Sequence, residues 1–168
     1  MCWSKILKEI KNSKLIIKCS NDKKKFDRIE RLMEKNGVLE SVIFRKRLEG
    51  KKDHLDLYNE IDIALDTFPY NGVTTSFEAI WMGVPVLTMA GYNFNSRCGE
   101  SINKNLNMEQ LIAKDEDDYV SKAVSLSIER DKFLKLRKSI FLDAIQSPLF
   151  NKKKFAENFF NSLRKIIE

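Results

Sequence analysis

Residues 62–86 have the sequence DIALDTFPYNGVTTSFEAIWMGVPV, and the fold assignment starts from this stretch. Its first residues form a short apolar run between two aspartates, which is typical of a buried strand. Turn residues continue to Gly72, and a helix is then predicted from the Thr74–Thr75 pair until Gly83 ends it. The apolar run Val84–Met89 predicts the next strand. The stretch therefore predicts a strand, a loop, a helix and a second strand.

The same alternation extends toward the N-terminus. Strands are predicted near residues 14–19, 41–45, 61–66 and 84–89, with amphipathic helices between them. Short apolar strands separated by amphipathic helices indicate a parallel sheet covered on both faces. We therefore predict an α/β, doubly wound, Rossmann-like domain, in which ligands bind outside the carboxyl ends of the strands.

The C-terminal part of the chain is predicted to be entirely helical. We expect one domain, with a Rossmann-like core over about residues 1–115 and a helical tail over about residues 116–168. The predicted helical segments are Ser96–Asn103, Met108–Ile112, Glu116–Ile128, Arg130–Ala144 and Lys152–Ile167.

Composition excludes several classes of function. The 168 residues carry a formal net charge of +6, but the lysines are spread over predicted helix surfaces without interleaved aromatics, so nucleic acid is not a favoured partner. Three cysteines and a single histidine, His54, give no zinc site of familiar spacing. The sequence contains neither a secretory signal nor a run of about 18 apolar residues. We expect a cytoplasmic protein without a membrane partner.

The loop before the helix at Thr74 has the features of an anion site. A helix N-terminus offers unpaired N–H groups and a partial positive charge. Gly72 lets the backbone approach a ligand closely, and Thr74 and Thr75 add hydroxyl donors suited to a diphosphate. Glu78 lies one turn further on, where a carboxylate suits the hydroxyls of a ribose. The alternative is that the threonines are ordinary N-caps and Glu78 completes a capping box. The loop alone favours neither.

His54 lies on a short helix that is predicted before the Asp62 strand. A lone histidine is more often a surface or core residue than a ligand. The neighbouring Lys51 and Lys52 are more often solvated. Pattern alone gives these residues no function.

Residues 62–75 and 78–91 resemble the C-terminal catalytic region of protein O-linked N-acetylglucosamine transferases, including the SPINDLY-like members. Ser96-Arg97 and residues 147–150 (SPLF) add to the likeness, which covers nearly the whole chain and is weakest before Val42. Members of this family are inverting glycosyltransferases of the GT-B arrangement, with two Rossmann-like halves. Their C-terminal half holds UDP-N-acetylglucosamine (UDP-GlcNAc).

The resemblance implies a set of UDP-binding residues in this chain. The set comprises Lys51, His54, Asn71, Gly72, Thr74, Thr75 and Glu78. His54 matches a histidine that lies against the uracil ring, and Lys51 matches a lysine at the uridine. Thr74 and Thr75 match the threonines on the diphosphate.

Two positions depart from the family pattern. Glu78 stands where many members have an aspartate on the ribose, and the longer carboxylate is expected to reach with altered geometry. Val73 replaces a histidine of some members, so one phosphate contact is expected to be missing.

The resemblance also implies a reaction, the transfer of N-acetylglucosamine from UDP-GlcNAc to Ser or Thr of acceptor proteins, with neither a metal nor another cofactor. The N-terminal catalytic half and the tetratricopeptide repeats of the family do not match any part of residues 1–168. We therefore expect no catalytic residue in this chain, no activity of the chain alone, and contact with acceptor proteins through the other half.

The last predicted helix bears on partners. Its apolar residues recur at helical spacing and are Phe155, Phe159, Phe160, Leu163, Ile166 and Ile167. In the two-domain fold the final helix crosses to the N-terminal half. We expect part of this stripe to be exposed on a single chain and to contact a second copy or a separately encoded N-terminal half.

Three alternatives stay open from the sequence. The first alternative is a non-catalytic UDP-binding or interaction module. The second is a domain of a related glycosyltransferase that uses another UDP-hexose. A nucleic-acid binder is suggested only by the charge of +6.

Overall fold

The computed structural model describes residues 2–19, 23–46 and 50–167. The strands of this part of the chain are β1 (Leu15–Cys19), β2 (Val42–Lys46), β3 (Ala64–Leu65), β4 (Val86–Met89) and β5 (Ile112–Ala113). The helices are α1 (Cys2–Glu9), α2 (Lys23–Lys35), α3 (Lys51–Asp56), α4 (Thr74–Trp81), α5 (Cys98–Asn105), α6 (Glu116–Ile128), α7 (Arg130–Gln146) and α8 (Lys152–Ile167). Short 3₁₀ turns join several of these elements.

Every pair of neighbouring strands in the described residues is parallel. β1 pairs with β2, and the order β3-β4-β5 forms a second sheet. The four predicted strands all form, although β3 is shorter than the predicted segment 61–66. Within the described ranges β1 and β3 do not pair with each other, so the expected continuous sheet is divided in two.

The helix predicted over Met108–Ile112 is wrong. The structure has a 3₁₀ turn at Glu109–Leu111, followed by β5. Asn107 has a left-handed φ of 55°, and the buried Asn103 amide donates to the Leu111 carbonyl at 3.4 Å, which holds the segment against the sheet. A window this short does not let apolar periodicity separate a buried helical turn from a strand.

Neighbouring residues of β4 show that helices cover both faces of the sheet. Successive side chains of a strand point to opposite faces. Val86 packs in a cluster with Ile80 of α4, and this cluster also includes residues of α5 and α7. Leu87 packs in a different cluster, with Ile6 of α1 and Tyr119 of α6. Two apolar layers on opposite faces confirm the doubly wound α/β fold.

The helical tail is also confirmed, and α6 and α8 begin and end at the predicted residues. No residue of α8 within the described range is buried. Its apolar stripe is exposed as expected, with Phe155 at 69% and Phe160 at 61% of their maximal exposure. None of the described helices combines the length and apolarity needed to cross a bilayer.

Candidate functional site

Asp66 anchors the loop that joins β3 to α4. This carboxylate is buried and accepts hydrogen bonds from the Gly72 N–H and from the Thr88 hydroxyl, each at 2.7 Å. The Tyr119 hydroxyl donates to the Asp66 carbonyl at 2.9 Å. Burial raises the pKa of Asp66, and the hydrogen bonds from Thr88, Gly72 and the Thr67 backbone oppose that rise. Asp66 thus ties both ends of the loop to the sheet.

Asn71 holds the middle of the same loop. It is 2% exposed, and its amide group donates to the Thr67 carbonyl at 2.8 Å. Its side-chain oxygen accepts from the Gly99 N–H at 3.2 Å, at the start of α5. Both ends of the Asn71 side chain are therefore bonded within the chain, which fixes the loop against α5.

Gly72 lies where the chain leaves no room for a side chain. A Cβ atom there would lie 2.5 Å from the Thr75 hydroxyl and 3.1 Å from the Ser76 hydroxyl. The Ser76 hydroxyl itself donates back to the Gly72 carbonyl at 3.0 Å. The Gly72 backbone therefore lies close to the Thr75 and Ser76 hydroxyls, and the predicted approach of a ligand to this backbone stays a prediction.

Thr74 and Thr75 are the first two residues of α4. Both are exposed, and within the described part of the chain neither hydroxyl has a hydrogen-bond partner. The capping alternative is wrong, because the N-cap residue is Val73 and no side chain caps the helix. The two hydroxyls lie beside the free N–H groups of a helix start, at the carboxyl edge of the sheet.

Glu78 faces His54 and does not complete a capping box. The His54 Nε2 atom lies 2.8 Å from Glu78 Oε2, and both side chains are about three-quarters buried. The Lys18 ammonium donates to the other ring nitrogen, Nδ1. Because Lys18 is only a donor, Nδ1 accepts and the ring proton lies on Nε2, where it is donated to Glu78. Both ring nitrogens of His54 are therefore bonded, and the Tyr58 ring packs against the imidazole at 5.8 Å between ring centroids in a T-shaped contact.

Tyr58 and Lys18 belong to this group and were not chosen from the sequence. The Tyr58 hydroxyl lies 3.4 Å from Glu78 Oε2 and 3.2 Å from the Thr75 carbonyl. Burial, together with the Glu78 charge and hydrogen bond, raises the pKa of Tyr58 to about 12. The available signals were the spacing of four residues between His54 and Tyr58, and the place of Lys18 near the carboxyl end of β1.

The remaining predicted site residue is Lys51. Its backbone begins α3, one turn before His54, but its side chain lies outside the described part of the structure. The predicted role of Lys51 stays a prediction.

A second charged group lies at the start of α5. Glu100 accepts from Arg97 at 2.8 Å and from Lys104 at 2.6 Å. The hydrogen bonds from Arg97 and Lys104 lower the pKa of Glu100. Gly99, the residue before Glu100, donates its N–H to the Asn71 side chain. The ion pairs of Glu100 therefore lie next to the contact that fixes the loop against α5.

Among the described residues, no three His, Cys, Asp or Glu side chains are grouped closely enough to hold a metal ion. The expectation that the site needs no metal stays a prediction.

Comparisons with known proteins decide the family. The sequence profile described as "Glycosyl transferase family 41" matches residues 1–159. The chain belongs to glycosyl transferase family 41.

Family 41 relatives with the name SPINDLY match almost the whole chain. The "Probable UDP-N-acetylglucosamine--peptide N-acetylglucosaminyltransferase SPINDLY" of Solanum lycopersicum is 35% identical over 93% of this chain and 17% of its own length. The Hordeum vulgare protein of the same name is 34% identical over 98% of this chain and 18% of its length. The chain therefore spans less than a fifth of these relatives.

A solved structure confirms the fold assignment. A mutant of the Thermobaculum terrenum O-GlcNAc transferase superposes with a TM-score of 0.88, at 28% sequence identity, over 98% of this chain and 32% of that chain. The chain is an O-GlcNAc-transferase-like glycosyltransferase domain, and it corresponds to about a third of the superposed protein.

Proposed function

We propose that this domain binds the UDP moiety of UDP-GlcNAc in a protein O-glycosyltransferase that modifies Ser and Thr hydroxyls. One observation carries the proposal. Within the described residues the hydroxyls of Thr74 and Thr75, at the start of α4, have no partner, and the His54–Glu78 pair lies one turn away at the same edge of the sheet. The family assignment supplies the donor class.

The diphosphate is assigned to the start of α4. Backbone N–H groups and the partial positive charge of the helix attract an anion there, and Thr74 and Thr75 add two hydroxyl donors. Gly72 keeps side chains away from this position. Asn71 is assigned a positioning role, because both ends of its amide are already bonded inside the chain.

The nucleoside is assigned to His54 and Glu78. The imidazole is held by its two edges, so that a face can lie against uracil. Glu78 uses Oε2 for His54 and Tyr58, and within the described residues its Oε1 atom has no partner. That oxygen is available to a ribose hydroxyl. Lys51 is assigned to the uridine by the family resemblance alone.

The assigned chemistry is stabilisation of a leaving group. The acceptor oxygen forms its bond to the anomeric carbon while the bond from that carbon to the β-phosphate oxygen breaks. Negative charge then grows on UDP, beside the helix start and the Thr74–Thr75 hydroxyls that we assign to the diphosphate. The base that takes the acceptor proton is assigned to the part of the enzyme outside residues 1–168.

We expect the chain alone to bind UDP and not to transfer sugar. It spans 17% of the Solanum relative and 32% of the superposed structure, and catalysis by positioning needs both walls of the cleft. The exposed stripe of α8, with Phe155 and Phe160, is the surface we assign to the other half or to a second copy.

Nuclear magnetic resonance with UDP tests the assignment. UDP should shift the Gly72, Thr74 and Thr75 amides and the His54 ring signals together. Uridine should shift only the His54 end, and inorganic diphosphate only the Thr74–Thr75 end. Absence of shifts at millimolar UDP, or shifts confined to another face, would remove the proposal. Competition between UDP-GlcNAc and UDP-glucose tests the alternative of another hexose.

A further inference from the structure

Tyr58 is a buried tyrosine beside the candidate site. It belongs to the 3₁₀ turn at Leu57–Glu60 and is 9% exposed. Its ring packs in the apolar cluster that also contains Ala79 and Ile80 of α4. Close packing of this kind restricts a ring to few orientations. The Tyr58 hydroxyl is therefore held at a fixed point beside α4.

The Tyr58 hydroxyl has two acceptors on α4. It lies 3.2 Å from the Thr75 carbonyl and 3.4 Å from Glu78 Oε2. A carbonyl and a carboxylate only accept hydrogen bonds, so the phenol is the donor. Burial, together with the Glu78 charge and hydrogen bond, raises the pKa of Tyr58 to about 12. The phenol therefore keeps the proton that it donates at neutral pH.

The two acceptors depend on this donor to different degrees. Thr75 and Ala79 both lie within α4, where the carbonyl of one residue accepts from the N–H four residues further on. The Thr75 carbonyl therefore has a helical partner without Tyr58. The Glu78 side chain is only 28% exposed, and a carboxylate in such a position needs donors in place of water. The Tyr58 hydroxyl therefore matters more to Glu78 than to Thr75.

Two donors fix one oxygen of the Glu78 carboxylate. His54 Nε2 lies 2.8 Å from Glu78 Oε2, which is also the oxygen beside the Tyr58 hydroxyl. A glutamate side chain loses the freedom of several rotatable bonds when it binds a ligand. Because both donors hold Oε2, that loss occurs before a ligand arrives. Within the described residues the other oxygen, Oε1, is left without a partner.

We propose that Tyr58 is a positioning residue for the ribose of a bound nucleotide. By holding Oε2 of Glu78, it presents Oε1 to the 2′ and 3′ hydroxyls, and this role rests on the proposed function, in which Glu78 contacts the ribose. Tyr58 itself does not contact the nucleotide. The arrangement adds selectivity, because a carboxylate fixed in this way favours a ligand with ribose hydroxyls over one that lacks them.

Tyr58→Phe removes the hydroxyl and keeps the buried ring. We expect the Kd of this variant for UDP to rise roughly 3- to 10-fold in calorimetry, which is the usual effect of one hydrogen bond. The Kd values for 2′,3′-dideoxy-UDP and for inorganic diphosphate should change by less than about twofold, because neither ligand carries the 2′ and 3′ hydroxyls. Tyr92→Phe, at a tyrosine that is 85% exposed, is the matched control and should bind all three ligands as the unmodified chain does.

The same substitution in a Glu78→Ala chain separates positioning from packing. If Tyr58 acts through Glu78, Tyr58→Phe should change the Kd for UDP by less than about twofold once the carboxylate is gone. A purely structural role predicts equal losses with and without Glu78. In the unliganded chain that keeps Glu78, Tyr58→Phe should also shift the nuclear magnetic resonance signal of the Glu78 carboxyl carbon, and Tyr92→Phe should not.

Every other outcome counts against the positioning role. Equal losses of affinity for UDP and 2′,3′-dideoxy-UDP, or a loss that persists with Glu78→Ala, would assign Tyr58 to the fold of the site. Unchanged UDP affinity, an unshifted carboxyl signal or a variant that does not fold would also overturn the role. Failure of the proposed function has a separate signature, because the unmodified chain then does not bind UDP and both assignments are lost. UDP binding by the unmodified chain with any of the other results removes the role of Tyr58 alone.

Discussion

Asp66 and the Thr74–Thr75 pair lie at opposite ends of one loop, and their polar groups differ in burial and in hydrogen bonding. Asp66 is buried and receives hydrogen bonds from Gly72 and Thr88. Thr74 and Thr75 are exposed, and their hydroxyls have no partner within the described residues. This difference in burial indicates two separate roles for the polar groups of the loop. One side chain fixes the shape of the loop, and the neighbouring hydroxyls are left for a ligand.

The largest effect is expected at the fixed end. Asp66→Ala leaves the N–H of Gly72 and the hydroxyl of Thr88 without acceptors in a buried position. We expect the free energy of unfolding to fall by about 2–4 kcal/mol, measured by urea denaturation. The matched control is Asp62→Ala, at an aspartate of the same segment whose side chain is 83% exposed, with an expected change within about 0.5 kcal/mol. Equal losses for both variants would contradict the anchoring role.

A smaller effect on binding is expected at the nucleoside end. Glu78→Ala should weaken binding of UDP by about 1–2 kcal/mol in calorimetry, because a hydrogen bond between a carboxylate and ribose is lost. The same variant should bind 2′,3′-dideoxy-UDP as the unmodified chain does. If both ligands lose affinity equally, Glu78 only positions His54 and does not contact the ribose.

The burial of Asp66 has a consequence for pH. The pKa of Asp66 in the folded chain is raised above the usual value of about 3.9, which applies to the unfolded chain. In the pH interval between these two pKa values, the folded chain holds a proton that the unfolded chain has released. Stability therefore falls as pH rises through the interval. Asp66→Asn removes this titration, and its stability relative to the unmodified chain should increase from about pH 3.5 to pH 7. Urea denaturation at both pH values measures this difference, and a decrease would contradict the burial of the charge.

The smallest effect on stability is expected in α8. Phe159→Ser replaces an exposed side chain, 51% accessible, so the free energy of unfolding should change by less than about 0.5 kcal/mol. Analytical ultracentrifugation should show weaker self-association, or weaker binding of a separately supplied N-terminal half. A loss of several kcal/mol would mean that α8 packs within the chain.

The sequence was most informative where pattern and chemistry coincide. The β3–α4 segment was predicted with its helix start, because Gly72, Thr74 and Gly83 mark loop and helix boundaries directly. The apolar spacing of α8 likewise predicted its bounds and its exposed stripe.

Three features depended on contacts between distant parts of the chain. β5 was hidden in a segment too short for periodicity, and its place is fixed by Asn103. Lys18 and Tyr58 reach the site only because the fold brings β1 and the 3₁₀ turn after α3 beside α4. The bonds of Asn71 to Thr67 and Gly99 show a shaping role that a sequence motif does not reveal.

The most direct test of the central claim replaces the hydroxyls of Thr74 and Thr75. Thr74→Val combined with Thr75→Val should leave the urea unfolding curve nearly unchanged and weaken UDP binding by about 1–3 kcal/mol, or roughly 5- to 150-fold, in calorimetry. Ser121→Val, at an exposed hydroxyl of α6, is the matched control and should bind UDP normally. Unchanged UDP affinity in the double variant, with the fold intact, would contradict the assignment of the diphosphate to the start of α4.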